Sequence, residues 1–276
     1  MNLELNDLAS QLIEDVTDGP EDLRIAQVDL QGQGLLLDFG VETEGGLEAG
    51  CALASICMSG LADIGLVPGL LGDIGWQQVV VQTDSPVAAC LFSQYAGWQI
   101  NVGKFFAMGS GPMRAVFAKE PLFDKLWYRE EAEQVVGVLE TGRLPGPDVF
   151  EYIARETNVE PDDVVLCVAP TSSMAGNLQV VARSVETALH KLYELGFDVN
   201  RVRSAVGGRR ADPGRLVARA GAGLGADLGR RLQLPRGGRG GTRPHQALRP
   251  VQGEDAARCR LRPRRRRTRR RQVDRR

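Results

Sequence analysis

Arg183 and Glu186 are two charged side chains whose spacing could serve a chemical site. They are three residues apart in a segment with helical periodicity, which places them on one face about 5–6 Å apart at Cβ. Such spacing is typical of a surface ion pair. The segment also follows an apolar strand and the loop 170–173, and loops at the carboxyl ends of strands line the ligand crevice of open α/β sheets. The pair is therefore either a surface ion pair or part of a ligand site.

A glycine-rich turn within residues 105–114 is a second candidate. Phe106 precedes Gly109, Ser110 and Gly111, and a proline follows them. Glycine permits sharp turns and a close approach of a ligand to the backbone, and proline stiffens the turn. The stretch is either the wall of a pocket or an ordinary loop.

Asp84 follows the β-branched run 78–81 and precedes Ser85 and Pro86. Asp84 or Ser85 can accept hydrogen bonds from the first N–H groups of a helix, and proline suits the first helical position. A polar residue at a strand end can also contact a ligand. Asp84 is therefore either a helix cap or a ligand contact.

Several common catalytic motifs are absent from the sequence. It contains no Gly-x-x-x-x-Gly-Lys-Ser/Thr loop, no His-Glu-x-x-His and no Gly-x-Ser-x-Gly. His190 is the only histidine in residues 1–207, and no serine or cysteine arrangement accompanies it, so we expect it to fill surface or core space. We expect neither a metal site nor a histidine-dependent triad.

The composition predicts a globular protein. Hydrophobic residues make up 43% of the chain, which is enough for a core, and no apolar run of 18 residues occurs. We therefore expect neither a membrane span nor a signal peptide. The cysteines form no Cys-x-x-Cys pair, and we interpret them as buried thiols of a cytosolic protein. They are Cys51, Cys57, Cys90, Cys167 and Cys259.

Residues 208–276 differ in net charge and in amino-acid composition from the rest of the chain. They contain 22 arginines, no lysine and five acidic residues, a net charge of +17, whereas residues 1–207 carry 12 basic and 30 acidic residues, a net charge of −18. Phe, Tyr, Trp, Ile, Met, Asn and Ser are also absent from residues 208–276. This composition cannot supply a stable core, so we expect the tail to be disordered.

Three interpretations of this tail remain open. An arginine-rich arm could bind nucleic acid through counterion release, and the segment could equally be a solvated linker. A shifted reading frame in a G+C-rich gene would also give this amino-acid composition. Of the missing residues, Phe, Tyr, Met, Ile, Asn and Lys need A+T-rich codons. We favour the frameshift, which is refuted if no shifted frame past codon 207 encodes a continuation of the globular region.

Helical and strand patterns alternate through residues 1–207, which predicts the α/β class. The predicted helices are 3–17, 48–64, 86–97, 147–157 and 175–195. The predicted strands are 24–30, 35–39, 78–81, 98–102, 114–119, 134–139 and 163–168, and 199–206 is the last ordered run. We expect α/β subdomains at about 1–120 and 121–207.

Motifs spread over residues 1–207 together resemble the methenyltetrahydromethanopterin cyclohydrolase family. They are Asp38-Phe-Gly-Val41, Gly45-Gly-Leu-Glu-Ala-Gly50, Thr83-Asp84 with Pro86, Ala96-Gly-Trp-Gln99, Phe106-Ala-Met-Gly-Ser-Gly-Pro112, Val168-Ala-Pro-Thr171, and Arg183 with Val185-Glu-Thr187.

The resemblance implies a cytoplasmic enzyme of one-carbon metabolism that binds a reduced pterin in a cleft between two α/β domains. Such enzymes interconvert methenyltetrahydromethanopterin and its 5-formyl derivative with water. They use no cofactor, no metal and no covalent intermediate, and they form homo-oligomers, trimers where seen.

The resemblance also implies roles for individual residues. The methenyl carbon carries amidinium charge and is already electrophilic, so the enzyme has to position and deprotonate water. Glu186 would activate that water, and Arg183 would hold the carboxylate and lower its pKa. The expected substrate-binding residues are Phe106, Gly109, Ser110, Gly111, Asp84, Tyr95 and Thr171.

Two departures from the family pattern limit these expectations. Some relatives carry Lys where this chain has Tyr95, so a lysine contact cannot be transferred. The family continues beyond residue 207 with segments that are missing here, so we expect the second subdomain to be incomplete. An inactive relative that still binds a pterin, and a nucleic-acid-binding protein that uses the arginine tail, remain as alternatives.

Overall fold

The computed structural model describes residues 3–30, 32–71 and 74–210. The α-helices are α1 (Leu5–Thr17), α2 (Leu47–Cys57), α3 (Met113–Phe117), α4 (Pro121–Leu126), α5 (Pro147–Thr157), α6 (Met174–Val181) and α7 (Ser184–Glu194). A π-helix spans Val87–Gln94. The strands are β1 (Ala26–Val28), β2 (Leu35–Asp38), β3 (Asp63–Leu71), β4 (Ile74–Thr83), β5 (Trp98–Val102), β6 (Phe105–Ser110), β7 (Val135–Glu140), β8 (Val164–Ala169) and β9 (Ala205–Arg210).

Six strands form a mixed sheet in the order β1-β2-β8-β7-β6-β5. The central strands β2, β8 and β7 are parallel, and the outer pairs are antiparallel. Every residue of β8 is buried because the two faces of this strand carry different layers. Val165 and Cys167 pack with α1 and α2, whereas Leu166 and Val168 pack with α5. A continuous apolar strand of this kind is expected where both faces of a parallel sheet are covered.

A second, antiparallel sheet has the order β3-β4-β9. Val79 and Val81 of β4 pack in one apolar cluster with Val185 and Leu189 of α7. Strand β9 also approaches α7 closely: a Cβ added at Gly207 would lie 2.8 Å from Cγ2 of Val185. The second sheet therefore supports the helix that carries Arg183 and Glu186.

The α/β class is confirmed, and so are helices near 3–17 and 147–157 and strands within 24–30 and 35–39, which form the antiparallel pair β1 and β2. The predicted helix 48–64 is too long. It ends at Cys57, because the backbone turns through Ser59 and Gly60 at φ values of 55° and 67°, and β3 follows. A helix cannot continue through two left-handed residues.

Two further predictions are wrong. Residues 114–119 do not form a strand, because most of them belong to the short helix α3. The predicted helix 175–195 is two helices, α6 and α7, separated at Ala182 and Arg183. Both errors occur where the backbone conformation depends on tertiary packing and not on the local periodicity of apolar residues.

The sheets do not follow the predicted division at residue 120, since the six-stranded sheet takes strands from both sides of it. The tail boundary also shifts, because residues 208–210 pair with β4 as the end of β9. The expected disorder of the remaining tail concerns residues 211–276, which lie outside the described residues.

Four cysteines, Cys51, Cys57, Cys90 and Cys167, are buried free thiols, as expected, and Cys259 lies outside the described residues. None of the helices in the described part of the chain has the length and apolarity needed to span a bilayer.

Candidate active site

The break between α6 and α7 places Arg183 at the N-cap of α7 and Glu186 in its first turn. The guanidinium Nη2 of Arg183 donates to Oγ of Ser110 at 3.2 Å. Ser110 is the last residue of β6, is 1% exposed, and donates in turn to the carbonyl of Val138 at 3.1 Å. Residues 73 positions apart in the sequence thus meet in one hydrogen-bonded pair.

Cys57 and Gln179 extend this contact into a buried network. The thiol of Cys57, at the end of α2, lies 3.4 Å from Oγ of Ser110. Gln179 of α6 donates from Nε2 to the same sulfur at 3.3 Å. We refer to Cys57, Ser110, Gln179 and Arg183 as the polar cluster. Burying a polar side chain costs free energy unless it forms hydrogen bonds. A hydrogen-bonded group of buried polar side chains therefore indicates a functional site.

The carboxyl group of Glu186 is buried, with 6% of the residue exposed. This burial raises the pKa of Glu186 above its ordinary value, and the positive charge of Arg183 opposes the shift only in part. The expected effect of Arg183, to lower this pKa, is confirmed in direction, but desolvation outweighs it and the net shift is upward. A carboxylate with a raised pKa is a stronger base than an exposed one.

Tyr95 lies beside the same helix. Its ring stacks on that of His190 with centroids 4.3 Å apart and planes 18° apart. Burial raises the pKa of Tyr95, and the neighbouring carboxylates of Glu120 and Glu186 also raise it. His190 therefore packs on Tyr95, and the expectation that it only fills space stays a prediction.

Arg114 fixes the backbone that precedes Tyr95. Its side chain is fully buried and forms a two-pronged ion pair with Glu120, with Nε–Oε1 at 2.8 Å and Nη2–Oε2 at 2.7 Å. Its Nη1 donates to the carbonyls of Leu91 and Ser93 at 3.1 and 3.2 Å. Carbonyl groups near the end of the π-helix thus accept hydrogen bonds from a buried side chain.

The glycine-rich stretch is largely strand rather than loop. Gly109 and Ser110 lie in β6, and the turn falls at Gly111, whose φ is +90°. A Cβ at Gly109 would meet Met113 and Ile100 at 2.9 and 3.0 Å. The glycine at 109 therefore accommodates the protein's own core. Contact of either glycine with a substrate stays a prediction.

The other expected contact residues are Phe106, Asp84 and Thr171, and neither Phe106 nor Asp84 forms a described hydrogen bond with the polar cluster. Phe106 is 53% exposed near the hairpin between β5 and β6. Asp84 does not cap the π-helix, whose N-cap is Pro86; it accepts from Oγ of Ser204 at 2.6 Å. Asp84 lines a separate cavity of about 610 Å³ that includes no polar-cluster residue. Thr171 lies in the loop after β8.

The sequence interpretation missed Cys57, Gln94 and Gln179. Each is a polar or polarisable residue inside an otherwise apolar helical run, and each is buried. That pattern was a usable signal, because a buried glutamine requires a partner. Among the residues described, no group of three or more His, Cys, Asp or Glu side chains is arranged to hold a metal ion.

Comparison with known proteins identifies the family. The model of the family "Cyclohydrolase (MCH)" matches residues 4–213. The methenyltetrahydromethanopterin cyclohydrolase of Methanosarcina mazei is 43% identical over 206 residues, which are 74% of this chain and 64% of the relative. The enzyme of that name from Methanosarcina barkeri is 42% identical over the same shares of both chains. The one from Rhodopirellula baltica is 45% identical over 207 residues, 74% of this chain and 62% of the relative.

The matched region spans less than two thirds of the length of these relatives. It nevertheless contains the whole polar cluster and Glu186. A family model that covers most of the chain and relatives above 40% identity lead to one conclusion. The chain belongs to the cyclohydrolase (MCH) family.

Proposed function

We propose that the protein hydrolyses methenyltetrahydromethanopterin to 5-formyltetrahydromethanopterin in one-carbon metabolism, the reaction that the names of its relatives indicate. The observation that carries the proposal is the buried carboxylate of Glu186, which lies next to the N-cap Arg183 and has a raised pKa. An acid–base residue in this setting suits the deprotonation of water.

The charge of the substrate would set the timing of proton transfer. A bound methenyl cation stabilises the ionised form of Glu186, because opposite charges a few ångströms apart favour ionisation. Addition of water discharges the cation. The affinity of Glu186 for a proton then rises at the step in which the proton is transferred.

The bonds change in two stages. In the first, a water oxygen bonds to the methenyl carbon while Glu186 accepts one proton from that water, which leaves a neutral carbinolamine. In the second, one carbon–nitrogen bond breaks, the leaving nitrogen gains a proton, and the hydroxyl loses one to become the formyl oxygen. One proton is released for each substrate hydrolysed.

Arg183 would position Glu186 rather than react. Its hydrogen bond to Ser110 fixes the guanidinium against β6, and its charge partly offsets the burial of the carboxylate. We further propose that Phe106, Gly109, Ser110, Gly111, Asp84, Tyr95 and Thr171 contact the substrate. We also propose, as the family resemblance implies, that the protein is cytoplasmic and forms a homo-oligomer, which is a trimer when the domain is complete.

The test is loss of the methenyl absorbance when the 276-residue protein is added to methenyltetrahydromethanopterin. We expect hydrolysis by the wild-type chain and a decrease in kcat of at least about 100-fold for Glu186→Gln, as is usual for loss of a general base. Unchanged turnover in Glu186→Gln would refute the assignment. Binding without turnover by the wild-type chain would indicate the inactive, pterin-binding relative.

A further inference from the structure

Gln94, the last residue of the π-helix, is fully buried, and its side-chain amide is unsatisfied. Neither Nε2 nor Oε1 has a hydrogen-bond partner in the described part of the chain. A buried amide without partners is unfavourable, because its desolvation is not compensated. Such a group in a native site calls for a partner, and a water molecule or a ligand can supply it.

The backbone on both sides of Gln94 is held in place. Ser93 donates from Oγ to the carbonyl of Cys57 at 2.7 Å, and its own carbonyl accepts from Arg114. The amide of Tyr95 donates to the carbonyl of Cys90 at 2.8 Å. The backbone at Gln94 therefore cannot shift toward solvent without breaking these bonds.

Gln94 adjoins the polar cluster. Its backbone carbonyl oxygen lies 4.0 Å from Sγ of Cys57, which in turn lies 3.4 Å from Oγ of Ser110. Two other buried polar atoms without partners among the described residues, Nε of Arg183 and Oγ of Ser184, lie at the start of α7, which packs on the π-helix. Buried donors and acceptors without described partners thus occur both on the π-helix and at the start of α7, the helix that carries the proposed catalytic carboxylate of Glu186.

A carboxamide offers one acceptor and one donor side by side, which complements a ring amide edge that carries N–H next to C=O. The pyrimidinone ring of a pterin has such an edge. We propose that Gln94 is a specificity-determining residue whose carboxamide pairs with this ring edge of the substrate. The proposal rests on the proposed function and adds the group that recognises the pterin ring.

The test compares Gln94→Met with the wild-type chain, because methionine keeps the size of glutamine and removes both polar atoms. The matched control is Gln11→Met, at an exposed position on α1. We would measure Tm, the Kd for 5-formyltetrahydromethanopterin by calorimetry, and the KM for the methenyl substrate.

We expect Gln94→Met to weaken binding and raise KM by about 10- to 100-fold, the usual effect of deleting a buried hydrogen-bonding pair, with Tm unchanged or higher. Gln94→Leu should behave in the same way, and Gln11→Met should match the wild type. A Tm lowered by several degrees in both Gln94 variants would show that protein groups hold the amide and would overturn the proposal. If Gln94→Met keeps the Kd and KM of the wild type, the role of Gln94 is refuted and the proposed function is not affected. If the wild-type chain itself binds no pterin, both the proposed function and the role of Gln94 are refuted.

Discussion

The guanidinium of Arg183 and the hydroxyl of Ser110 form a 3.2 Å hydrogen bond that joins the start of α7 to the end of β6. Ser110→Ala removes this bond and the one to Val138. We expect kcat to fall about tenfold and stability to fall by about 1–2 kcal/mol, because one polar group of each pair stays buried.

Ser10→Ala is the matched control for this variant. Ser10 donates to Oε1 of Gln134 at 2.8 Å in a partly buried position on α1. Its loss should cost about 1 kcal/mol of stability without changing kcat. Equal effects of Ser10→Ala and Ser110→Ala on kcat would contradict a positioning role for Ser110.

Glu186→Gln should change the pH dependence of stability. The pKa of Glu186 is raised in the folded state, mainly by burial, so the protonated form is favoured by folding. This stabilising contribution is fully present below the ordinary carboxyl pKa and is lost as the pH rises through the folded-state pKa. Glutamine resembles the protonated form at every pH.

We therefore expect the Tm of Glu186→Gln to exceed that of the wild type at pH 8 and the difference to shrink toward pH 4. Thermal denaturation of both proteins over this range measures the effect. Because Glu130 is present in both proteins, its own raised pKa cancels in the comparison. A wild type that is the more stable protein at pH 8 would refute the direction assigned to this pKa.

Arg114→Met should be severely destabilising, by about 3–5 kcal/mol, because it leaves the Glu120 carboxylate without its buried partner. It also unpairs carbonyls at the end of the π-helix. The double variant Arg114→Met/Glu120→Gln should recover part of the loss. Chemical denaturation provides the free energies.

Arg129→Met is the control for Arg114→Met. Arg129 forms a 2.7 Å ion pair with Asp124, but both side chains are largely exposed. Its loss should cost less than about 1 kcal/mol. If Arg114→Met and Arg129→Met lower the free energy of unfolding by similar amounts, burial does not make the Arg114–Glu120 ion pair more important for stability than an exposed one.

The stack of Tyr95 on His190 should contribute about 1 kcal/mol, the usual range for aromatic pairs. His190→Ala should lose this energy, whereas His190→Phe should retain most of it. A double-mutant cycle of His190→Ala with Tyr95→Leu isolates the term. A coupling energy near zero would show that the two rings touch without stabilising each other.

Gly111→Ala should cost about 3 kcal/mol, because φ is +90° and the new Cβ would lie 3.2 Å from both Val136 O and Val138 N. Gly103→Ala is the comparison. It also has positive φ, +56°, but no described atom lies within 4 Å of its Cβ position. We expect it to cost about 1 kcal/mol. Equal losses would show that strain rather than contact dominates at Gly111.

Local sequence patterns were sufficient for much of the fold. The apolar run in β8, bounded by polar residues, predicts a buried strand, and helix α5 combines clear periodicity with Pro147 at its start. The proximity of Arg183 and Glu186 is likewise local, since it follows from their spacing. These features depend on neighbours within about ten residues.

The chemistry of the site depends on contacts that are distant in sequence. Residues 57, 110 and 179 come together only through the packing of α2, β6 and α6. The direction of the Glu186 pKa shift is decided by desolvation, which no local spacing can give. The helix break at Arg183 was also invisible to periodicity.

The sequence by itself thus determined the class of fold, the motifs of the family and the closeness of Arg183 and Glu186 along the chain. Only the tertiary structure decided that Glu186 is a buried carboxyl group with a raised pKa, that Ser110 accepts a hydrogen bond from Arg183, and that the side-chain amide of Gln94 has no partner among the described residues. The physical reason is that burial and long-range hydrogen bonding are properties of packed elements, not of any one segment.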